Sequence, residues 1–206
     1  MLFKNEEYNW IWEKSANVGL ALIYALFVYI FLRDFMASHR PSILITVIYE
    51  TMLVYFLLTR AMPIGVSTAP FDWFVAVIGT WLPLMMRPAV EYNEILVLQV
   101  LQVVGLIVSM LGLMSLNKSF GIVAANRGVK TNGVYKYIRH PLYSGYVLAL
   151  GCFVVQNLNL YNLALYIGLL VFKVLRIQSE EAFLSKDKAY RDYMTSTKYR
   201  LIPFIW

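Results

Sequence analysis

Two groups of charged and aromatic side chains in the last third of the sequence could carry out chemistry. The first is a basic segment that leads into Arg139, His140, Pro141 and Tyr143. Because proline lacks an N–H, Pro141 favours the first turn of a helix, which puts His140 near its N-cap and leaves free backbone N–H groups there. Such a helix end attracts anions. A simpler interpretation is that Lys136 and Arg139 bind lipid phosphates while His140 only caps the helix.

The second group follows a long apolar run and consists of Lys173, Arg176, Glu180 and Glu181. In a continuous helix, Arg176 and Glu180 lie four residues apart on one face, and Lys173 lies three residues before Arg176. This spacing is also typical of an ordinary ion pair on a helix surface, beside basic side chains that extend out of a membrane. The two groups indicate a functional site only if the fold brings them together.

The composition of the chain indicates that these residues are positioned by membrane helices. Of the 206 residues, 60% are hydrophobic and only 15% are charged, and the mean hydropathy is +0.61, which lies outside the soluble range. Several apolar runs approach the roughly 20 residues that a helix needs to cross a bilayer, which favours a helical bundle over a barrel of alternating strands. We expect an all-α, polytopic transmembrane bundle of about six spans, at about 16–32, 42–58, 71–86, 95–116, 142–156 and 160–175.

The last two spans form a helical hairpin, because only residues 157–159 separate them. The fifth span therefore starts, and the sixth ends, on the same side of the membrane. This arrangement brings His140 and Tyr143 close to Arg176 and the paired carboxylates. Such a density of convergent polar groups beside lipid predicts a binding pocket.

The distribution of positive charge predicts the side of the membrane on which this pocket lies. The net charge is +6, and basic residues flank the hairpin on both sides, whereas its turn has no charge. By the positive-inside rule, both flanking segments and the pocket face the cytoplasm. Arg33 and Arg40, in a loop that this orientation places outside, count against it. The split charge also argues against nucleic acid as a partner.

Neither a metal site nor a dinucleotide-binding fold is predicted. Cys152 is the only cysteine, and the two histidines, His39 and His140, are far apart in the sequence, so no set of ligands has metal-binding spacing. The glycines of the polar connector at 117–133 do not match the glycine-rich fingerprint of a Rossmann fold, and no strand pattern surrounds them.

The C-terminal region resembles the isoprenylcysteine carboxyl methyltransferase family of integral membrane enzymes. The resemblance rests on four groups of residues in matching order: Gly133 to Gly145 with its Arg-His-Pro-x-Tyr-x-Gly pattern, Arg176 with Glu180 and Glu181, Tyr190 with Tyr193, and Arg200 to Phe204. It covers about the last 90 residues, and the first four spans show no such signature. We therefore expect two regions, a four-span membrane scaffold at 1–116 and a methyltransferase-like region at 117–206.

The resemblance implies that S-adenosylmethionine enters the pocket from the cytoplasm and that a lipophilic acceptor, a small molecule or a prenylated or lipid-linked one, enters from the bilayer. Arg176 and Glu180 would be the catalytic residues, Arg176 and Arg200 would bind the acceptor, and Pro203 would belong to a tail that closes over the site. The cofactor-binding residues would be Val129, Lys130, Gly133, Tyr135, His140, Leu142, Tyr143, Glu180 and Glu181.

The residue types suit this reaction. Methyl transfer from a sulfonium requires alignment, exclusion of water and a deprotonated acceptor, and it requires no metal. Glu180 can bind the hydroxyls or the amine of the cofactor, and Arg176 can orient an acceptor carboxylate through paired hydrogen bonds.

Three alternatives stay open on the sequence. The same region is similar to phospholipid methyltransferases and, more remotely, to membrane sterol reductases, which would use NADPH. A non-enzymatic scaffold that binds lipid headgroups through its basic edges would explain the charges as well. Tyr190 and Tyr193, in a tail helix expected from about Ser179 to Thr195, would either line the pocket or anchor the chain at the membrane interface.

Overall fold

The computed structural model describes residues 10–87 and 95–206 and shows a mostly helical protein. Its helices are α1 (Trp10–Ser38), α2 (Pro41–Thr59), α3 (Pro70–Trp81), α4 (Leu96–Leu116), α5 (Pro141–Gln156), α6 (Leu160–Leu184) and α7 (Lys188–Ser196). Two short strands, β1 (Gly65–Val66) and β2 (Ala125–Asn126), pair antiparallel. The predicted helical class is confirmed, with one small ladder added to it, which joins the α2–α3 loop to the connector, residues 117–140 between α4 and α5.

Three of the described helical segments are long and apolar enough to cross a membrane: Glu13–Ser38, Leu96–Ser119 and Leu160–Leu184. The apolar segments Ile43–Thr59, Pro70–Met85 and Pro141–Gln156 are shorter, and fall below the roughly 20 residues of an untilted span. Large apolar side chains on the outer faces of the long helices are exposed, as lipid-facing residues are. The count of six spans stays a prediction.

The C-terminal end of the chain differs from the predicted single tail helix at 179–195. Helix α6 continues to Leu184, well beyond the predicted end of the last span, and α7 begins separately at Lys188. The side chain of Asp187 caps α7 by accepting a hydrogen bond from the N–H of Ala189, at 2.9 Å. An aspartate at this position stabilises a new helix start, so the chain turns here and α7 can fold back towards the connector.

Small residues allow α4 and α5 to pack at very short distance. A Cβ atom built on Gly105 would lie 2.6 Å from the backbone oxygen of Gly145, and one built on Gly112 would lie 2.7 Å from the backbone nitrogen of Leu142. Ser109 donates a hydrogen bond to the carbonyl of Leu142, at 2.9 Å. Close contacts of this kind are typical of membrane helix pairs, and they fix the start of α5 against α4.

The turn of the hairpin is closed by asparagines. Asn159 caps α6 by accepting from the N–H of Asn162, at 2.8 Å. Asn162 donates to the carbonyls of Asn157 and Arg87, each at 2.8 Å. The two arms pack against different neighbours, α5 against α4 and α6 against α3. These contacts position the open end of the hairpin, where α5 starts and α6 ends.

Candidate functional site

A cavity of about 760 Å³ lies where the connector, the start of α5, the end of α6 and α7 meet; we call it the connector cavity. Seven of the nine predicted cofactor-binding residues line it: Val129, Lys130, Tyr135, His140, Leu142, Tyr143 and Glu180. Gly133 and Glu181 do not. Gly133 begins a 3₁₀ turn with a φ of +62° and faces Ser115 on α4, a conformation that glycine adopts without strain.

The floor of the connector cavity is built at the first turn of α5. The rings of His140 and Tyr143 stack in parallel, with their centroids 5.5 Å apart. The hydroxyl of Tyr143 donates a hydrogen bond to Glu180 Oε2, at 2.9 Å. His140 is the N-cap residue, as predicted, but its side chain makes no capping hydrogen bond. The interpretation of His140 as a mere cap is therefore wrong.

Glu181 is the centre of a buried ion cluster beside the cavity. Its side chain is 4% exposed, and Arg139 donates to both oxygens, from Nε to Oε1 at 2.7 Å and from Nη2 to Oε2 at 3.2 Å. His140 Nε2 lies 3.0 Å from Oε1, and Arg200 Nε donates to Oε2 at 2.8 Å. Both oxygens are thus engaged by protein side chains, and Glu181 holds the ring of His140 in place.

The residues after α7 form a strap across the start of α5. Arg139 donates from its side chain to the carbonyls of Thr197 and Lys198, at 2.9 and 3.0 Å. The backbone N–H groups of Arg139 and His140 donate to the carbonyls of Tyr199 and Arg200, each at 2.9 Å. The strap thus takes the N–H groups of Arg139 and His140, which lie just before the first turn of α5. Arg139 is buried as well, which removes it from the lipid phosphates.

Arg176 has other partners than the predicted i,i+4 pair. It is buried; its Nη1 donates to Thr80 Oγ1 at 3.1 Å, and its Nη2 donates to the carbonyl of Ile122 at 2.5 Å. Its guanidinium also stands over the ring of Tyr143, 5.2 Å from the centroid. In the described part of the chain no salt bridge joins Arg176 to Glu180. The interpretation as an exposed surface pair is wrong.

Two further cavities adjoin the connector cavity. An interior cavity of about 520 Å³, lined by Arg176, shares Leu142 and Tyr143 with it. A lateral cavity of about 800 Å³ lies between α1, α3 and the connector, and its lining is mainly apolar. Ile23, Trp73 and Trp81 line the lateral cavity and are 36%, 43% and 37% exposed, so the cavity reaches the surface of the helix bundle beside apolar side chains of α1 and α3.

Aromatic side chains of α7 close the connector cavity on its polar side. Tyr190 and Tyr193 are buried and line the cavity together with Tyr135. The hydroxyl of Tyr193 donates to the carbonyl of Tyr135, at 2.8 Å. Burial raises the pKa of both α7 tyrosines well above the usual range, so they stay neutral. Of the two alternatives for these tyrosines, the structure favours pocket lining over interfacial anchoring.

A buried ion cluster that the sequence analysis did not identify holds the connector from the N-terminal side. Glu13 Oε1 pairs with Arg127 Nη2 at 2.6 Å and with Arg60 Nη2 at 3.0 Å. Arg127 Nε also donates to the carbonyl of Ala61, at 2.9 Å. The signal in the sequence was an acidic residue within an apolar helix. The cluster ties α1 and α2 to the segment that supplies Val129 and Lys130.

Replacing Glu13 with glutamine should loosen the connector. The amide oxygen can still accept a hydrogen bond, but two buried guanidinium groups lose their counter-charge, which costs about 1–3 kcal/mol. We expect faster tryptic cleavage after Lys130, which is exposed, measured on the detergent-purified chain. The matched control is Asp34→Asn, at an exposed acidic residue of the same helix. Equal cleavage rates in the two variants would contradict the role of Glu13.

Comparison with known proteins places the region around the connector cavity in a family. Residues 95–186 match the model of the isoprenylcysteine carboxyl methyltransferase family, which confirms the resemblance predicted from the sequence. No curated protein matches the chain. The match begins in α4, ahead of the predicted boundary at Asn117, and includes His140, Tyr143 and Glu180. It supports a membrane methyltransferase of this type and favours neither the reductase nor the scaffold. The protein is thus an integral membrane protein whose residues 95–186 match the isoprenylcysteine carboxyl methyltransferase family.

Proposed function

We propose that this protein transfers the methyl group of S-adenosylmethionine to a lipophilic acceptor that reaches the site from the bilayer. The observation that carries the proposal is the position of the connector cavity. It lies largely within the region that matches the family, and through Leu142 and Tyr143 it borders a cavity inside the helix bundle. A polar donor and an apolar acceptor could therefore approach each other from opposite sides of one wall.

The lining of the connector cavity suits a sulfonium cofactor. The half-buried carboxylate of Glu180 can accept hydrogen bonds from hydroxyls or an amine, and the exposed ammonium of Lys130 can pair with a carboxylate. The rings of Tyr135 and Tyr190 offer faces to a flat base and to a positively charged sulfur. When bound there, S-adenosylmethionine supplies an electrophilic methyl group.

The side chains of this protein position the reacting groups and exclude water from the reaction. Tyr143 is fixed between Glu180 and the guanidinium of Arg176, so the wall between the two cavities has a defined shape. Glu181 positions His140 from behind. Arg200 pairs with Glu181, which favours a role for Arg200 in closing the strap over the direct acceptor contact predicted for it. Preorganised side chains and excluded water are what a direct displacement requires.

The lateral cavity provides a route for an apolar chain. It shares Thr80 and Ile122 with the interior cavity, and Arg176 binds both of these residues. An acyl or prenyl chain in the lateral cavity would place its head group beside Arg176, which supports the prediction that this residue faces the acceptor. The basic segments on both sides of the hairpin support a cytoplasmic entrance for the cofactor, with residues 1–116 as scaffold.

The proposal is tested by S-adenosylmethionine binding to the detergent-purified protein, measured by calorimetry. Glu180→Gln removes a charged hydrogen-bond acceptor, and Tyr143→Phe removes the hydroxyl that orients it. We expect the dissociation constant to rise about tenfold or more for Glu180→Gln, which corresponds to about 1.4 kcal/mol, and less for Tyr143→Phe. Asp192→Asn, at an exposed carboxylate of α7, is the matched control and should leave binding unchanged.

Absence of S-adenosylmethionine binding to folded protein would overturn the proposal. Binding of NADPH in its place would establish the reductase instead. If both cofactors fail to bind while anionic lipid binds, the scaffold would be the remaining function.

A further inference from the structure

The interior cavity contains buried ionisable side chains of α2 and α6. Glu50 lies halfway along α2 and is 4% exposed, and Lys173 lies halfway along α6 and is 5% exposed. Both line the same cavity. Ionisable groups at such depth are costly and are rarely found without a partner or a ligand. Their presence here requires an explanation that the connector cavity does not supply.

Lys173 is a buried amine that lies against two aromatic rings. Its Nζ lies 5.0 Å from the ring centroid of Tyr143 and 5.4 Å from that of Tyr146. In residues 10–87 and 95–206 no salt bridge joins Lys173 to an acidic side chain. Two aromatic faces stabilise an ammonium but leave its charge uncompensated. An anionic group in the interior cavity would complete its environment.

Arg176 lines the same cavity. Its guanidinium is already bonded to Thr80 and to the carbonyl of Ile122, and it holds the wall of the cavity beside the head group. Lys173, which forms no salt bridge within the described residues, is the basic group to which we assign the anion.

Glu50 lines the same cavity, next to a pair of stacked tyrosines. The ring of Tyr146 contacts Lys173 and also stacks on the ring of Tyr49, at a centroid distance of 6.0 Å. Tyr49 directly precedes Glu50 in α2. Within the described residues, Glu50 Oε2 has no hydrogen-bond partner. A buried carboxyl oxygen without a hydrogen-bond partner destabilises the folded protein. A donor group in the cavity would remove this cost.

We infer that the interior cavity binds a zwitterionic head group, with its anionic group on Lys173 and its ammonium group on Glu50. The inference rests on the proposed function in one point: the molecule with this head group is taken to be the methyl acceptor. Lys173 contacts Tyr143, which belongs to the wall of the connector cavity. The anionic group would therefore lie next to the methyl donor, and the ammonium group would lie deeper in the bundle. The apolar chain of the same molecule fits the lateral cavity, which shares Tyr24 and Thr80 with the interior cavity.

Three single-chain amphiphiles of equal length test the inference on the full detergent-purified chain: hexadecanoic acid, hexadecylamine and 2-aminohexadecanoic acid. We expect the amino acid to bind at least tenfold more tightly than either of the others. Lys173→Met should weaken the binding of the two carboxylates about tenfold and spare the amine. Glu50→Gln should weaken the binding of the two amines about tenfold and spare hexadecanoic acid. Lys188→Met and Asp192→Asn, at exposed charges of α7, are matched controls and should keep the wild-type order.

Equal affinity of the wild-type protein for the three amphiphiles would overturn the inference, and this measurement needs no variant to fold. A double variant Glu50→Gln/Lys173→Met that is as stable as wild type, with single variants that lose stability but no selectivity, would also overturn it, since the two charges would then only stabilise each other. S-adenosylmethionine binding is measured on the same samples. Cofactor binding without head-group selectivity would support the methyltransferase proposal and overturn the head-group site. Selectivity without cofactor binding would support the head-group site and overturn the methyltransferase proposal.

Discussion

Replacing Glu181 with alanine should lower the free energy of unfolding by about 3–5 kcal/mol, because removing one partner of a buried ion pair leaves the others uncompensated. Here the carboxylate is shared by Arg139, His140 and Arg200. Since Arg139 also binds the carbonyls of Thr197 and Lys198, the loss extends to the strap. Thermal unfolding in detergent measures the first effect, and tryptic cleavage after Lys198 measures the release of the strap.

Glu181→Gln serves as the intermediate variant, because it keeps the shape of the side chain and removes its charge. We expect its unfolding temperature to lie between those of wild type and Glu181→Ala. Asp192→Ala removes an exposed carboxylate of α7 and should change stability by less than about 0.5 kcal/mol. If Glu181→Ala unfolds like Asp192→Ala, the cluster does not hold the strap.

Valine at position 145 should separate α4 from α5. A Cβ on Gly145 would lie 2.5 Å from the backbone nitrogen of Ser109 and 2.7 Å from its Oγ. Backbone atoms cannot rotate away, so the helices must shift, at a cost of about 3 kcal/mol. Cys152, buried in α5 and the only cysteine, reports the change: its reaction with a thiol-specific dye should become faster and begin at a lower temperature.

The control for this substitution is Gly19→Val. A Cβ on Gly19 would have no neighbouring atom within 4 Å, so valine there meets open space on α1. Its dye reaction should match wild type. A Gly145→Val protein with the same dye kinetics as Gly19→Val would show that the short crossing of α4 and α5 is not essential for packing.

Local sequence signals predicted the elements that position the site. Pro141 placed the start of α5 within one residue, because proline is tolerated in the first turn of a helix and not later. Residues 157–159 predicted the hairpin, since so short a polar segment between apolar runs can only reverse the chain. The prediction failed at Asp187, whose capping side chain ends one helical segment and begins the next. The apolar periodicity does not show where one helix ends and the next begins, because a capping side chain is not part of that pattern.

The partners of the charged residues could not be predicted in the same way. Spacing paired Arg176 with Glu180, yet α6 presents Arg176 to α3 and the connector, where Thr80 and Ile122 bind it. Glu13 and Arg127 are 114 residues apart, and no periodic pattern links them. Such contacts depend on how the helices are rotated and docked, which is decided by packing over the whole bundle.

The ion cluster of Glu13 also limits how this chain could be recombined. The family match begins at residue 95, whereas the connector inside it is anchored by Glu13 and Arg60 on α1 and at the end of α2. A chimera that joins the C-terminal half to the N-terminal helices of another chain would bury Arg127 without its counter-charge. In a library of such fusions, the well-folded members should be those whose donor helices carry an acidic and a basic residue at these two places. The two halves of the chain can therefore be exchanged only if the charges of Glu13, Arg60 and Arg127 stay matched.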